Sequence, residues 1–77
     1  MRYTVEAFDK ETEFLAFEID LPHRCDAHLA EIMKWSSPQR GDEGYNLNCG
    51  QLAAIENLVG RAFYDPDYIF QLTCNLS

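Results

Sequence analysis

The stretch Arg2–Leu21, RYTVEAFDKETEFLAFEIDL, decides the fold, because two runs rich in Val, Ile, Phe and Tyr flank the short polar connection Asp9-Lys10-Glu11-Thr12-Glu13. That pattern is a β-hairpin closed by a loop of about three to five residues. Taking Lys10 to Thr12 as the loop sets Asp9 opposite Glu13, Phe8 opposite Phe14, Glu6 opposite Ala16, Thr4 opposite Glu18 and Arg2 opposite Asp20. Paired positions share parity in that register, so the odd residues line one face and the even residues the other. The odd face is apolar, with Tyr3, Val5, Ala7, Leu15, Phe17, Ile19 and Leu21, whereas the even face carries Arg2, Thr4, Glu6, Phe8, Phe14, Ala16, Glu18 and Asp20. A core is expected on the first face, and water or a partner on the second.

The rest of the chain supplies a cover for the odd face. Pro22 stops the second strand, since it cannot donate to a ladder, and Asp26 is placed to cap a helix of about ten residues whose inner stripe is Leu29, Ile32 and Met33, with Trp35 packing nearby. Ser36 to Gly44 is a loop by its Pro, Gly and Ser content. Tyr45 to Leu47 reads as a short extended piece, after which Asn48 caps a second helix over Cys49–Val59, closed by Gly60 and inwardly apolar at Leu52, Ile55, Leu58 and Val59. The Asp65-Pro66-Asp67 turn then leads into an alternating strand from Tyr68 to Leu76. The expected fold is therefore α+β and two-layered, in the order β-β-α-(β)-α-β: a three- or four-stranded antiparallel sheet with two helices on one face. The other sheet face is left for a partner, for the loop 36–46 or for a symmetric copy.

With 77 residues, the chain makes a single domain, residues 1–77, near the lower end of what folds without disulfides or metals. Its apolar fraction of 47% supports a packed globule, yet no apolar run approaches the roughly 20 residues that span a membrane. The chain opens directly into an alternating strand rather than an apolar leader, so a cytoplasmic location is expected. Thirteen acidic residues against six basic ones give a formal charge of −7, which repels nucleic acid and favours encounter with a basic protein. The same carboxylates also confer solubility.

No catalytic signature emerges, and neither an enzyme nor a cofactor is expected. Cys25, Cys49 and Cys74 are odd in number and contain no C-x-x-C pair, so free thiols are the default. His23, Cys25 and His28 gather possible metal donors but lack a fourth, and Asp26 between them is better used as a cap. Cys25 beside a helix start is a candidate for a lowered thiol pKa, without a base to complete a catalytic pair. Glu11/Glu13 and Asp65/Asp67 fall in turns, where solvated carboxylates are ordinary.

The residues VEAFDKETE (Val5–Glu13), EIDLP (Glu18–Pro22) and YNLN (Tyr45–Asn48), the last opening a helix that ends at Gly60, resemble a small family of uncharacterised bacterial domains over nearly the whole chain. That resemblance implies no catalytic residues. A looser likeness in size, acidity and absence of motifs is to the immunity proteins of bacterial toxin systems, of the colicin and contact-dependent growth inhibition kinds. It implies a protein that neutralises a cognate basic toxin, often a nuclease, by tight binding. The residues expected to carry binding are Glu6, Asp9, Glu11, Glu13, Glu18 and Asp20 for charge with Phe8 and Phe14 as anchors, or else Asp42, Glu43, Tyr45, Asp65 and Asp67 on an opposite, loop-rich side. The alternative is a small self-associating accessory domain whose open face pairs with its own copy.

Overall fold

The computed structural model describes residues 2–22, 25–36 and 44–75. Its elements follow the expected order: β1 (Arg2–Asp9), β2 (Leu15–Asp20), α1 (Asp26–Met33), β3 (Gly44–Asn46), α2 (Cys49–Val59) and β4 (Tyr68–Asn75). The strands form one four-stranded antiparallel sheet in the order β2-β1-β4-β3. Tyr45 thus lies in a true edge strand, and Tyr45 pairs with Leu72.

The core sits on the odd face of β1, as the alternation requires. Val5, Ala7, Leu72 and Cys74 are almost fully buried with Leu29 of α1 and with Leu52 and Ile55 of α2, so both helices cover the same face of the sheet. Trp35 closes one end of this layer, its ring 6.1 Å from Tyr3 and 5.4 Å from Tyr45. At the other end Phe17 meets the edges of Tyr68 and Phe70.

The hairpin register departs from the simple one by two single-residue slips. First, the loop is one residue longer: the Asp9 amide donates to the Phe14 carbonyl, and Glu13 adopts a left-handed backbone with φ 65°. Second, Ala16 is a β-bulge, because Ala7 pairs with Phe17 while Phe8 pairs with Leu15. Beyond the bulge Glu6 faces Glu18 and Thr4 faces Asp20, in place of the expected Ala16 and Glu18. Together the slips displace the register by an even number, which preserves the faces of Phe17, Ile19 and Leu21. Two residues before the bulge are misassigned: Leu15 takes the place beside Phe8, leaves the core face and is 44% exposed, and Phe14, expected opposite Phe8, stands opposite Asp9 instead.

The helix ends divide into one reading that holds and one that changes. Asn48 caps α2, its side chain accepting the Gln51 amide while Gln51 accepts the Asn48 amide, and Gly60 ends the helix at φ 74°. Asp26 does not cap α1. Cys25 occupies that position without a side-chain cap, Asp26 is the first helical residue, and its carboxylate instead accepts the Tyr3 hydroxyl at 2.6 Å. A charge-assisted bond to a buried phenol competes successfully with capping, and it ties α1 to the central strand.

Two stability predictions follow from these local features. Glu13→Gly relieves the left-handed strain and is expected to raise stability by about 0.5–1 kcal/mol in urea unfolding, despite the added freedom of the unfolded chain. For Tyr3, burial and then the Asp26 hydrogen bond push the phenol pKa up, so it keeps its proton above the ordinary tyrosine range. That contribution is complete below the unfolded pKa of about 10 and is lost as pH rises past it. Tyr3→Phe should therefore cost about 1–2 kcal/mol at neutral pH, and it should flatten the alkaline decline in the urea midpoint.

Candidate protein-binding face

The even face of the sheet arranges its side chains in bands, because antiparallel partners stand side by side. Nearest the hairpin loop runs an apolar band: Leu15 of β2, Phe8 of β1 and Ile69 of β4, in adjacent register. The next band is Glu18, Glu6, Gln71 and Asn46 across all four strands. Gln71 donates through Nε2 to Asn46 Oδ1 at 2.9 Å, which leaves Glu6 and Glu18 facing each other. Asp20, Thr4 and Thr73 form the third band, where the Thr4 hydroxyl donates to Asp20 Oδ1 at 3.1 Å and Arg2 makes an exposed ion pair with the same carboxylate at 3.4 Å. Thr4 is buried at 5% exposure, and while its hydroxyl donates to Asp20 its backbone carbonyl accepts the Thr73 hydroxyl at 3.2 Å.

Exposed apolar surface concentrates at the hairpin end. Phe14 is 76% exposed and Ile69 47%, beside the half-exposed Leu15. Phe8, Asp9, Glu13, Ile69 and Gln71 enclose a shallow depression of about 320 Å³. Large side chains are thus left in water on a sheet surface and rimmed by charge.

Part of the second expected set is brought to the hairpin end of the first. Because β4 runs antiparallel to β1, Tyr68 stands beside Asp9, and the Lys10 amide donates to the Asp67 carbonyl. Asp65 and Asp67 therefore flank the loop bearing Glu11 and Glu13 rather than lying opposite it. Some of these carboxylates have local tasks. Asp9 Oδ1 accepts the amides of Glu11 and Thr12 at 2.8 and 3.1 Å, and Asp65 Oδ1 accepts the Asp67 amide at 2.8 Å. Glu11, Glu13, Glu18 and Asp20 are exposed, and Glu6 is half-buried between strands. Tyr45 is placed on the core side against Trp35, away from this face. Asp42 and Glu43 lie outside the described residues, as does most of the loop expected as a cover.

Leu15 is the residue that sequence reasoning lost from this surface, since nothing in the alternation announces the bulge. Ile69, by contrast, was recognisable from its place in the last strand. Gln71 and Asn46 carry no sequence signal: their pairing exists only once β3 is laid beside β4.

Chemistry elsewhere is sparse. Among the described residues no group of three or more His, Cys, Asp or Glu is placed to hold a metal ion, and His23 of the expected donor set lies outside those residues. Burial, reinforced by the charge of Asp26, pushes the Cys25 thiol pKa up rather than down, so this thiol is not activated by its helix start. Glu56 is drawn the other way: its carboxylate accepts the amides of Tyr64 and Phe63 at 3.0 and 2.8 Å, which lowers its pKa and fixes the turn after α2. No helix among the described residues is long and apolar enough to cross a membrane.

No curated protein and no solved structure matches the chain. A family described as a domain of unknown function, DUF7683, matches residues 2–73, which is nearly the whole of the sheet and both helices. The chain belongs to the DUF7683 family.

Proposed function

We propose that this protein is a non-catalytic binding module whose open sheet face docks a basic protein. The observation that carries this reading is the band of Phe8, Leu15 and Ile69, held within carboxylates on a sheet face that the two helices leave uncovered, with the exposed Phe14 in the adjoining hairpin loop. The acidic excess would steer a basic partner to the face, and desolvation of the apolar band would then hold it there. In its narrower form the proposal is that of an immunity protein, in which the partner is a cognate toxin, such as a nuclease, whose basic active-site surface is covered. The small size, the charge of −7 and the lack of catalytic motifs support that form.

The facing pair Glu6 and Glu18 gives the reading an energetic argument. Like charges directly opposite on neighbouring strands destabilise a sheet. A basic side chain arriving between them would turn that cost into a gain in binding.

The direct test is affinity capture with the full chain at low and high salt, using the product of a neighbouring gene as the first candidate. One basic protein retained in about equal amount, lost in Phe8→Ser/Ile69→Ser, and whose toxicity co-expression relieves, is the expected result. Recovery of only the protein's own copies overturns it in favour of self-association. A stability measurement checks the energetic argument separately. Glu18→Gln should raise the unfolding free energy by about 0.2–1 kcal/mol. The gain should shrink at about 1 M salt, where screening reaches about 3 Å, while capture of the basic partner weakens.

A further inference from the structure

The sheet ends at β2, and the hydrogen-bond phase of the hairpin fixes what that edge offers. The Leu21 amide donates to the Tyr3 carbonyl, so the odd residues of this strand turn their backbone toward β1. The register therefore directs the backbone N–H and C=O groups of Glu18 and Asp20 outward. Among the described residues no strand lies beyond them. The same two residues send their carboxylates to the open face, beside Glu6.

An added strand would thus meet two requirements at once. Residues paired with Glu18 and Asp20 would extend the acidic bands, whereas their neighbours would fall on the core side next to Phe17 and Ile19. A second copy of β2 fits poorly, because it would bring further carboxylates onto an acidic face and would meet the Ala16 bulge. We propose that the β2 edge captures an extended segment of the basic partner as a fifth strand, a segment with Lys or Arg alternating with apolar residues. This rests on the docking reading above and specifies its mode: main-chain bonds to Glu18 and Asp20 supply affinity, and the alternation supplies specificity.

The probe is a synthetic peptide as long as the six-residue β2, with lysine and valine in alternation. Its comparators are the same residues in block order and the same peptide N-methylated at every second amide. Residue-resolved amide exchange is read on the full chain. With the peptide at about ten times its Kd, exchange at Glu18 and Asp20 is expected to slow about tenfold by mass action, and neither comparator should reproduce this. Shifts confined to Phe8 and Ile69, with exchange at Glu18 and Asp20 unchanged, overturn strand capture while leaving face docking intact. Protection that grows with protein concentration in the absence of peptide also overturns it, because the occupant is then a second copy. Two variants separate charge from backbone. Glu18→Gln should weaken binding in a salt-dependent way, whereas Glu18→Pro, which removes the same charge and in addition an outward amide donor that makes no bond to β1, should abolish it. The N-methylated peptide carries the same test if Glu18→Pro does not fold. Equal binding of the alternating and N-methylated peptides overturns the proposal.

Discussion

The ladder between β1 and β4 is the constraint on which the rest of the molecule depends. It runs the whole length of both strands, from Arg2 beside Asn75 to Asp9 beside Tyr68, and so joins the two ends of the chain in the middle of the sheet. Closing so long a loop is entropically costly, which makes this pairing the least local step in the fold. Its reward is burial on one side: Val5 lies beside Leu72 and Ala7 beside Phe70, all nearly inaccessible to solvent. Its geometric consequences reach further. With β1 and β4 central, β2 and β3 become edges, and the 65–67 turn is carried to the hairpin loop.

Much of the fold was legible because the alternation in Arg2–Leu21 and Tyr68–Asn75 is strong and because Asn48 and Gly60 punctuate α2 as their chemistry predicts. What the sequence could not specify was tertiary. The longer loop depends on Glu13 tolerating a left-handed backbone that its side chain disfavours, and the Ala16 bulge has no compositional mark. These two slips cancel in parity, which is why the core prediction survives an incorrect register. Asp26 failed as a cap for a similar reason: its alternative partner, Tyr3, is distant in sequence and adjacent only in the folded state.

The candidate surface was legible in kind rather than in outline. Phe8, Glu6 and Glu18 were assigned to the even face from parity alone and are found there, whereas Phe14, expected beside Phe8, is carried opposite Asp9 by the longer loop. Asp65 and Asp67 of the second set came to the hairpin end as soon as β4 paired with β1, because sequence distance between Glu13 and Asp65 says nothing about their distance across a sheet. Leu15 joined the face through the bulge, which converts a core position into an exposed apolar one.

The bulge and the carboxylates of β2 also bear on how an edge with no further strand beside it among the described residues is guarded against indiscriminate pairing. A long flat apolar edge would template pairing with any neighbouring chain. Here the strand is short, it is kinked at Ala16, and its outward-bonding residues Glu18 and Asp20 are both acidic. Shortness and the kink disfavour any approaching strand, and the carboxylates add a penalty for one that is uncharged or acidic, including the protein's own. For a basic strand, the proposed occupant, the same carboxylates would instead become partners and the facing Glu6–Glu18 pair would be relieved. Under the proposed docking, protection of the edge and selection of a partner would be one electrostatic property, set where the core's alternation has already fixed which side chains stand on the open face.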